Sequence, residues 1–185
     1  MKNVKTIGVA LALGAICLLI PLSGQSAPGV AGQTAVMPEW SLKDVKGKTV
    51  RTADFKGKVV ILNFWATWCG PCRAEIPNFI ALQKQYEKQG LVIVGLSVDE
   101  DGADVVKLFA QRLGMYYPVV LADQKIQEAF GGIEAVPTTF IIDHDGRVLK
   151  KHLGFTDKDA FQKEIEPLLN PSHWYWRRTC DKVFP

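Results

Sequence analysis

The run NFWATWCGPCRAEIP, residues 63–77, places two cysteines, Cys69 and Cys72, two residues apart beside a glutamate, two tryptophans and two prolines. Cysteines at this spacing can hold a metal, close a structural crosslink, or cycle between dithiol and disulfide. A structural zinc site needs four ligands, and the chain has no second C-x-x-C or C-x-x-H; His144, His152 and His173 are scattered. The zinc reading is therefore disfavoured, and the elements around the pair must decide between the other two.

Just before the pair, VVILNF at 59–64 is apolar almost throughout, the pattern of a strand buried on both faces of a sheet. Just after it, residues 71–90 carry Ile76, Phe79, Ile80, Leu82 and Tyr86 at helical spacing and stop at Gly90. Cys69 thus falls where a strand turns into a helix. Amide groups and the macrodipole at a helix N-terminus favour negative charge, so the Cys69 thiolate is stabilised and this cysteine is the predicted nucleophile. One turn further in, Cys72 can reach the Cys69 sulfur while staying more buried, and it is the predicted resolving thiol. Pro71 suits a first helical turn, where a missing N–H costs little, and Gly70 leaves the nucleophile open to an approaching backbone.

The remaining pattern is α/β. Residues 39–58 read as a leading hairpin around Gly47, and LVIVGLSV at 91–98 as a second buried strand, parallel to the first across the helix. A helix at 102–114, a short strand at 117–122 and a short helix at 124–131 follow. A hairpin with Asp145 and Gly146 in its turn and an amphipathic helix at 157–170 complete a sandwich with a mixed sheet.

The termini read differently. Residues 1–26 carry Lys2 and Lys5, then an uncharged apolar run from Ile7 to Leu22, then small residues, which reads as an export signal or, uncleaved, an N-terminal anchor. Residues 27–37 form a predicted linker, 38–170 the domain, and 171–185 an aromatic and basic tail with Trp174, Tyr175, Trp176, Arg177 and Arg178. The tail reads as packed on the domain or as a membrane or partner contact. The net charge is +3, and +1 without the first 26 residues, which remove two lysines and no acid. Such a balance carries no nucleic-acid footprint. Export leaves Cys69, Cys72 and Cys180, an odd count that fits a redox site, a free thiol or a partner chain.

WCGPC after a buried strand, Pro77 five residues past Cys72, and AVPTTF at 135–140 together resemble the thioredoxin fold. More narrowly, with the apolar N-terminus, the leading hairpin and the extra strand and helix, the chain resembles the TlpA- and ResA-like exported disulfide reductases over about residues 38–169. The resemblance implies a thioredoxin-like three-layer sandwich with a mixed central sheet, an N-terminal hairpin and an inserted strand–helix unit. It implies a cis peptide before Pro137, with Val136 offering backbone groups to an extended substrate. It also matches Glu75 to an acidic residue near the cysteines, one helical turn from Cys72, where it serves as proton acceptor for that thiol or as an ordinary solvated glutamate. Trp65 is expected in the core and Trp68 on an apolar docking rim. Two departures count: Asn63 stands where thioredoxin has a buried aspartate, and Thr138 follows the proline where dedicated cytochrome c maturation proteins carry an acid.

Gly70 and Pro71 match the reducing members, and Val136 has no hydroxyl to hold the Cys69 sulfur, so reduction of substrate disulfides is expected, with no cofactor beyond the Cys69–Cys72 disulfide. In a periplasmic or other envelope compartment this requires a membrane electron donor to restore the dithiol. Expected partners are disulfide-containing envelope proteins, in cytochrome c or copper-site assembly or elsewhere. Two rivals stand beside this. A thiol peroxidase would carry a proline seven residues before Cys69, where Leu62 stands; a copper chaperone would use Cys69, Cys72 and a histidine such as His144, whose DHDG context reads as a turn.

Overall fold

The computed structural model describes residues 35–170. The expected signal or anchor, most of the linker, and the tail with Cys180 lie outside the described residues. A central sheet of five strands runs in the order β5-β4-β3-β6-β7, with β3 at Val59–Trp65, β4 at Leu91–Ser97, β5 at Val119–Leu121, β6 at Thr138–Ile142 and β7 at Val148–Leu153. The first three are parallel to one another, while β6 runs antiparallel to both β3 and β7. The sheet is therefore mixed, and the fold is thioredoxin-like α/β, as expected.

Strand β3 shows why this sheet must be covered on both sides. Val59, Ile61 and Trp65 point into one apolar cluster, and Val60, Leu62 and Phe64 into the other, so every residue of the strand is buried. The first cluster is closed by α1 (Gly70–Tyr86), α2 (Ala103–Arg112) and α4 (Lys158–Leu169) through Ile76, Phe79, Val106, Phe161 and Ile165. The second is closed by α3 (Gln124–Ala129) and by the antiparallel hairpin of β1 (Ser41–Lys43) and β2 (Thr49–Arg51). Side-chain caps mark two helix starts: Asp123 accepts from the Ile126 amide and Asp157 from the Ala160 amide, each at 2.8 Å.

One boundary shifts. The predicted linker reached Met37, but Val36 bridges Arg147, the Val148 amide donates to the Ala35 carbonyl at 2.7 Å, and Met37 is buried in the second cluster. Backbone pairing at the start of β7 draws these residues into the fold, which composition alone does not reveal.

Candidate active site

Strand β3 ends at Trp65 and the chain turns over Ala66–Cys69, closed by the Cys69 amide on the Ala66 carbonyl at 3.2 Å. Helix α1 begins at Gly70, one residue earlier than Pro71, with Cys69 as its N-cap. The cap is the sulfur itself: the Cys72 amide donates to Cys69 Sγ at 3.1 Å. Such a bond persists and strengthens when the sulfur is a thiolate. Cys69 and Cys72 are joined as a disulfide with Cα atoms 5.2 Å apart. Their exposures are 5% and 1%, so both sulfurs are more enclosed than the open nucleophile expected from sequence. The opening is on the Gly70 side: Gly70 is exposed, and a Cβ built there meets nothing within 4 Å.

Across the sulfur, the Val136–Pro137 peptide is cis, and the Val136 carbonyl oxygen lies 3.7 Å from Cys69 Sγ. Val136 lacks a hydroxyl, but its main chain approaches the sulfur closely. The loop is tied from behind by the Gly154 amide on the Pro137 carbonyl at 2.8 Å and by Thr138 Oγ1 on the Ala135 carbonyl at 2.7 Å.

Glu75 is fully buried, which removes the solvated-glutamate reading. One carboxylate oxygen accepts from the Thr156 amide at 2.7 Å, and the other, Oε2, is buried with no partner in the protein. Burial pushes its carboxyl up to about 7, and the bond from Thr156 offsets only part of that. Burial and the Glu75 charge push the Tyr117 hydroxyl up as well. Asn63 is buried and donates to Thr139 Oγ1 at 2.9 Å, a fixed link between β3 and β6 with no exchangeable proton.

Trp65 is fully buried, whereas Trp68 is 66% exposed. With Thr67, Val105, Leu108, Phe109 and Arg112, Trp68 lines an open groove of about 310 Å³ beside the disulfide. Leu153 and Phe155, also exposed, flank the tethered Gly154 on the other side. A larger concavity of about 480 Å³, between Phe55 and the 144–146 turn, lies at the opposite end of β3 and touches neither cysteine.

Sequence reasoning missed three contributors. The Thr156 amide, Tyr117 and the Ser97–Asp99 pair leave no local pattern; the nearest signal is S-x-D at the end of β4, close to the register of Trp65. Among the described residues, no group of three or more His, Cys, Asp or Glu could hold a metal ion, and His144 lies in the β6–β7 turn.

Known proteins are similar to this chain in sequence and fold. The AhpC/TSA family matches residues 33–151. The thiol-disulfide oxidoreductase ResA of Geobacillus thermodenitrificans is 39% identical over 138 residues, 74% of this chain and 77% of that protein. The thioredoxin-like protein YneN of Bacillus subtilis is 37% identical over 136 residues, covering 73% and 78%. The crystal structure of a thioredoxin-family thiol:disulfide interchange protein from Chlorobium tepidum aligns with a TM-score of 0.71 at 36% identity, over 76% of this chain and all of that one. With a helix-capping C-x-x-C disulfide at the end of a buried strand and relatives of this kind over most of its length, the chain belongs to the AhpC/TSA family and is a thiol-disulfide oxidoreductase.

Proposed function

We propose that the protein is an exported reductase of protein disulfides, with Cys69 as nucleophile and Cys72 as resolving thiol. The Cys72 amide on Cys69 Sγ carries this reading, because it singles out one sulfur of the pair for thiolate stabilisation. In the dithiol form the Cys69 thiolate attacks one sulfur of a substrate disulfide; a mixed disulfide forms and the other substrate sulfur leaves as a thiolate that takes a proton. The Cys72 thiol then loses its proton, with Glu75 as acceptor, and its sulfur attacks Cys69 Sγ; the Cys69–Cys72 bond forms, the bond to the substrate breaks, and the substrate sulfur leaves as a thiolate that takes a proton. The substrate leaves as a dithiol, and Cys69–Cys72 is the disulfide of the resting oxidised protein. Two electrons pass from protein to substrate.

Trp68, Gly70, Pro71, Val136 and Pro137 form the surface on which an extended substrate segment is held, with the Val136 main chain aligned beside the attacking sulfur. The apolar N-terminal run between Lys5 and the small residues near Gly24 supports export to the periplasm or cell envelope, cleaved or anchored. Partners there are envelope proteins carrying disulfides, those of cytochrome c and copper-site assembly included, and a membrane electron donor that returns the disulfide to the dithiol. No other cofactor enters the cycle.

The test is covalent capture. Cys72→Ala protein, reduced and returned to an envelope fraction, accumulates mixed disulfides through Cys69 that dithiothreitol releases, while Cys69→Ala protein captures none. Equal capture by both variants, or by neither, removes the division of labour.

A further inference from the structure

A second buried carboxylate, Asp99, is bonded to the turn that precedes Cys69. Asp99, 8% exposed, follows β4 and reaches under the turn that delivers Cys69. Both of its oxygens accept from the Thr67 amide, at 3.1 and 3.0 Å; Oδ1 also accepts from Thr67 Oγ1 at 2.5 Å, and Oδ2 from Ser97 Oγ at 2.6 Å. Ser97 Oγ in turn accepts from the Asp99 amide at 3.1 Å, which fixes the hydroxyl for donation to the carboxylate. Every contact to the carboxylate is a donor, the arrangement that suits an ion. Thr67 sits inside the Ala66–Cys69 turn, so this charge is held beneath the backbone that aims the Cys69 sulfur.

We propose that Asp99 is a positioning residue that sets the redox poise of the pair: it clamps the 66–69 turn through Thr67, and its negative charge opposes thiolate formation at Cys69. Helix α1 alone pulls the other way, because its N-terminus and the Cys72 amide both favour the thiolate. A dithiol is a strong reductant only when its thiolate is not overstabilised. A fixed carboxylate shielded from solvent is weakly screened by salt, so it counteracts the helix at all ionic strengths. The other charges around the turn are Arg73 and Glu75 on α1, Glu100 and Asp101 beyond Asp99, and Asp104 and Arg112 on α2. Among the charged groups of the described residues, only Glu75 and Asp99 are buried, and only Asp99 bonds to the turn itself.

Asp99→Asn keeps the shape and one acceptor oxygen for Thr67 while removing the charge, and its amide nitrogen donates to Ser97 Oγ instead of accepting from it. In the full-length reduced protein, the pH profile of Cys69 alkylation by iodoacetamide gives the thiol pKa directly. The expected shift is downward by roughly half a unit to one unit, with alkylation at pH 6 about 3- to 10-fold faster. In glutathione buffers, where the protein disulfide and two glutathiones exchange for the dithiol and one glutathione disulfide, the balance at pH 7 moves several-fold toward the dithiol. Asp104→Asn, at an exposed acid on α2, leaves both readouts unchanged. An unchanged Cys69 pKa in Asp99→Asn, or an equal shift in Asp104→Asn, overturns the proposal. Ser97→Ala supplies a second test, because it strips a donor from the carboxylate but keeps its charge: the thiol pKa rises or holds, and a fall overturns the proposal equally. The inference extends the reductive reading above, but the alkylation profile stands whichever way electrons flow, so failure of one is told apart from failure of the other.

Discussion

Glu75 and Asp99 are both acids and both buried, one a helical turn past Cys72 and the other bonded to the turn before Cys69, yet the protein treats them in opposite ways. Glu75 receives a single bond, from the Thr156 amide, and its second oxygen has no partner in the protein. Asp99 receives bonds on both oxygens from Thr67 and Ser97. Burial without donors makes a carboxyl hold its proton toward neutral pH; burial with donors preserves the ion. The first suits a group that exchanges a proton, the second a fixed charge.

The largest break in this contrast is expected from Glu75→Gln. With the Glu75 carboxyl near 7, it is mostly ionised at pH 8 and mostly protonated at pH 6. Resolution of a preformed mixed disulfide by Cys72, followed in a quenched-flow assay, should therefore slow as pH falls through about 7 in the native protein. In Glu75→Gln it should be about 100-fold slower at pH 8 and lose that inflection. A native rate without the inflection would remove Glu75 from the proton path.

The same group makes a thermodynamic prediction for the oxidised protein. Its folded value of about 7 lies above the unfolded carboxyl, so the stability it contributes is complete below the ordinary glutamate range and is lost as pH rises through about 7. The loss amounts to up to about 3 kcal/mol, less whatever solvent reaches the carboxyl. Urea titrations at pH 5 and pH 8 should show the difference in the native protein, and a smaller one in Glu75→Gln.

Thr67→Val sharpens the other half of the comparison. Removing the hydroxyl leaves Asp99 with the Thr67 amide and Ser97, and the urea midpoint should fall by the equivalent of about 1–2 kcal/mol. Thr67→Ser should recover most of it, since the hydroxyl is what bonds. The smallest effect is expected at a partly exposed ion pair. Lys150 donates to Glu164 at 2.6 Å across β7 and α4 with half its side chain in solvent. Lys150→Ala should cost less than about 1 kcal/mol and leave the thiol chemistry unaltered.

Much of this site is readable along the chain because its parts are local. The alternation of apolar residues in β3 fixes a strand covered on both faces; the C-x-x-C spacing places two sulfurs within a single helical turn; and a helix N-terminus next to Cys69 follows from Pro71 and the stop at Gly90. Trp65 and Trp68, three residues apart, divide into core and surface as expected. Glu75 marks where such reading ends. Its helical face is legible, but whether that face meets water or protein depends on the β7–α4 connection, 81 residues away. The linker boundary fails for a related reason, because Ala35–Met37 are held by backbone pairing with residues 146–148.

The sequence by itself determined the sandwich, the buried strand feeding the helix, and the placing of two sulfurs one helical turn apart at its start, because strand periodicity, helix capping and thiol spacing are properties of neighbouring residues. Tertiary structure alone decided the environment of those sulfurs. It set the Val136 carbonyl beside Cys69, buried Glu75 with a single donor, and packed Asp99 beneath the turn under four hydrogen bonds. Burial and donor count fix the charge state of an acid, and both are supplied by segments that meet only when the sheet has formed.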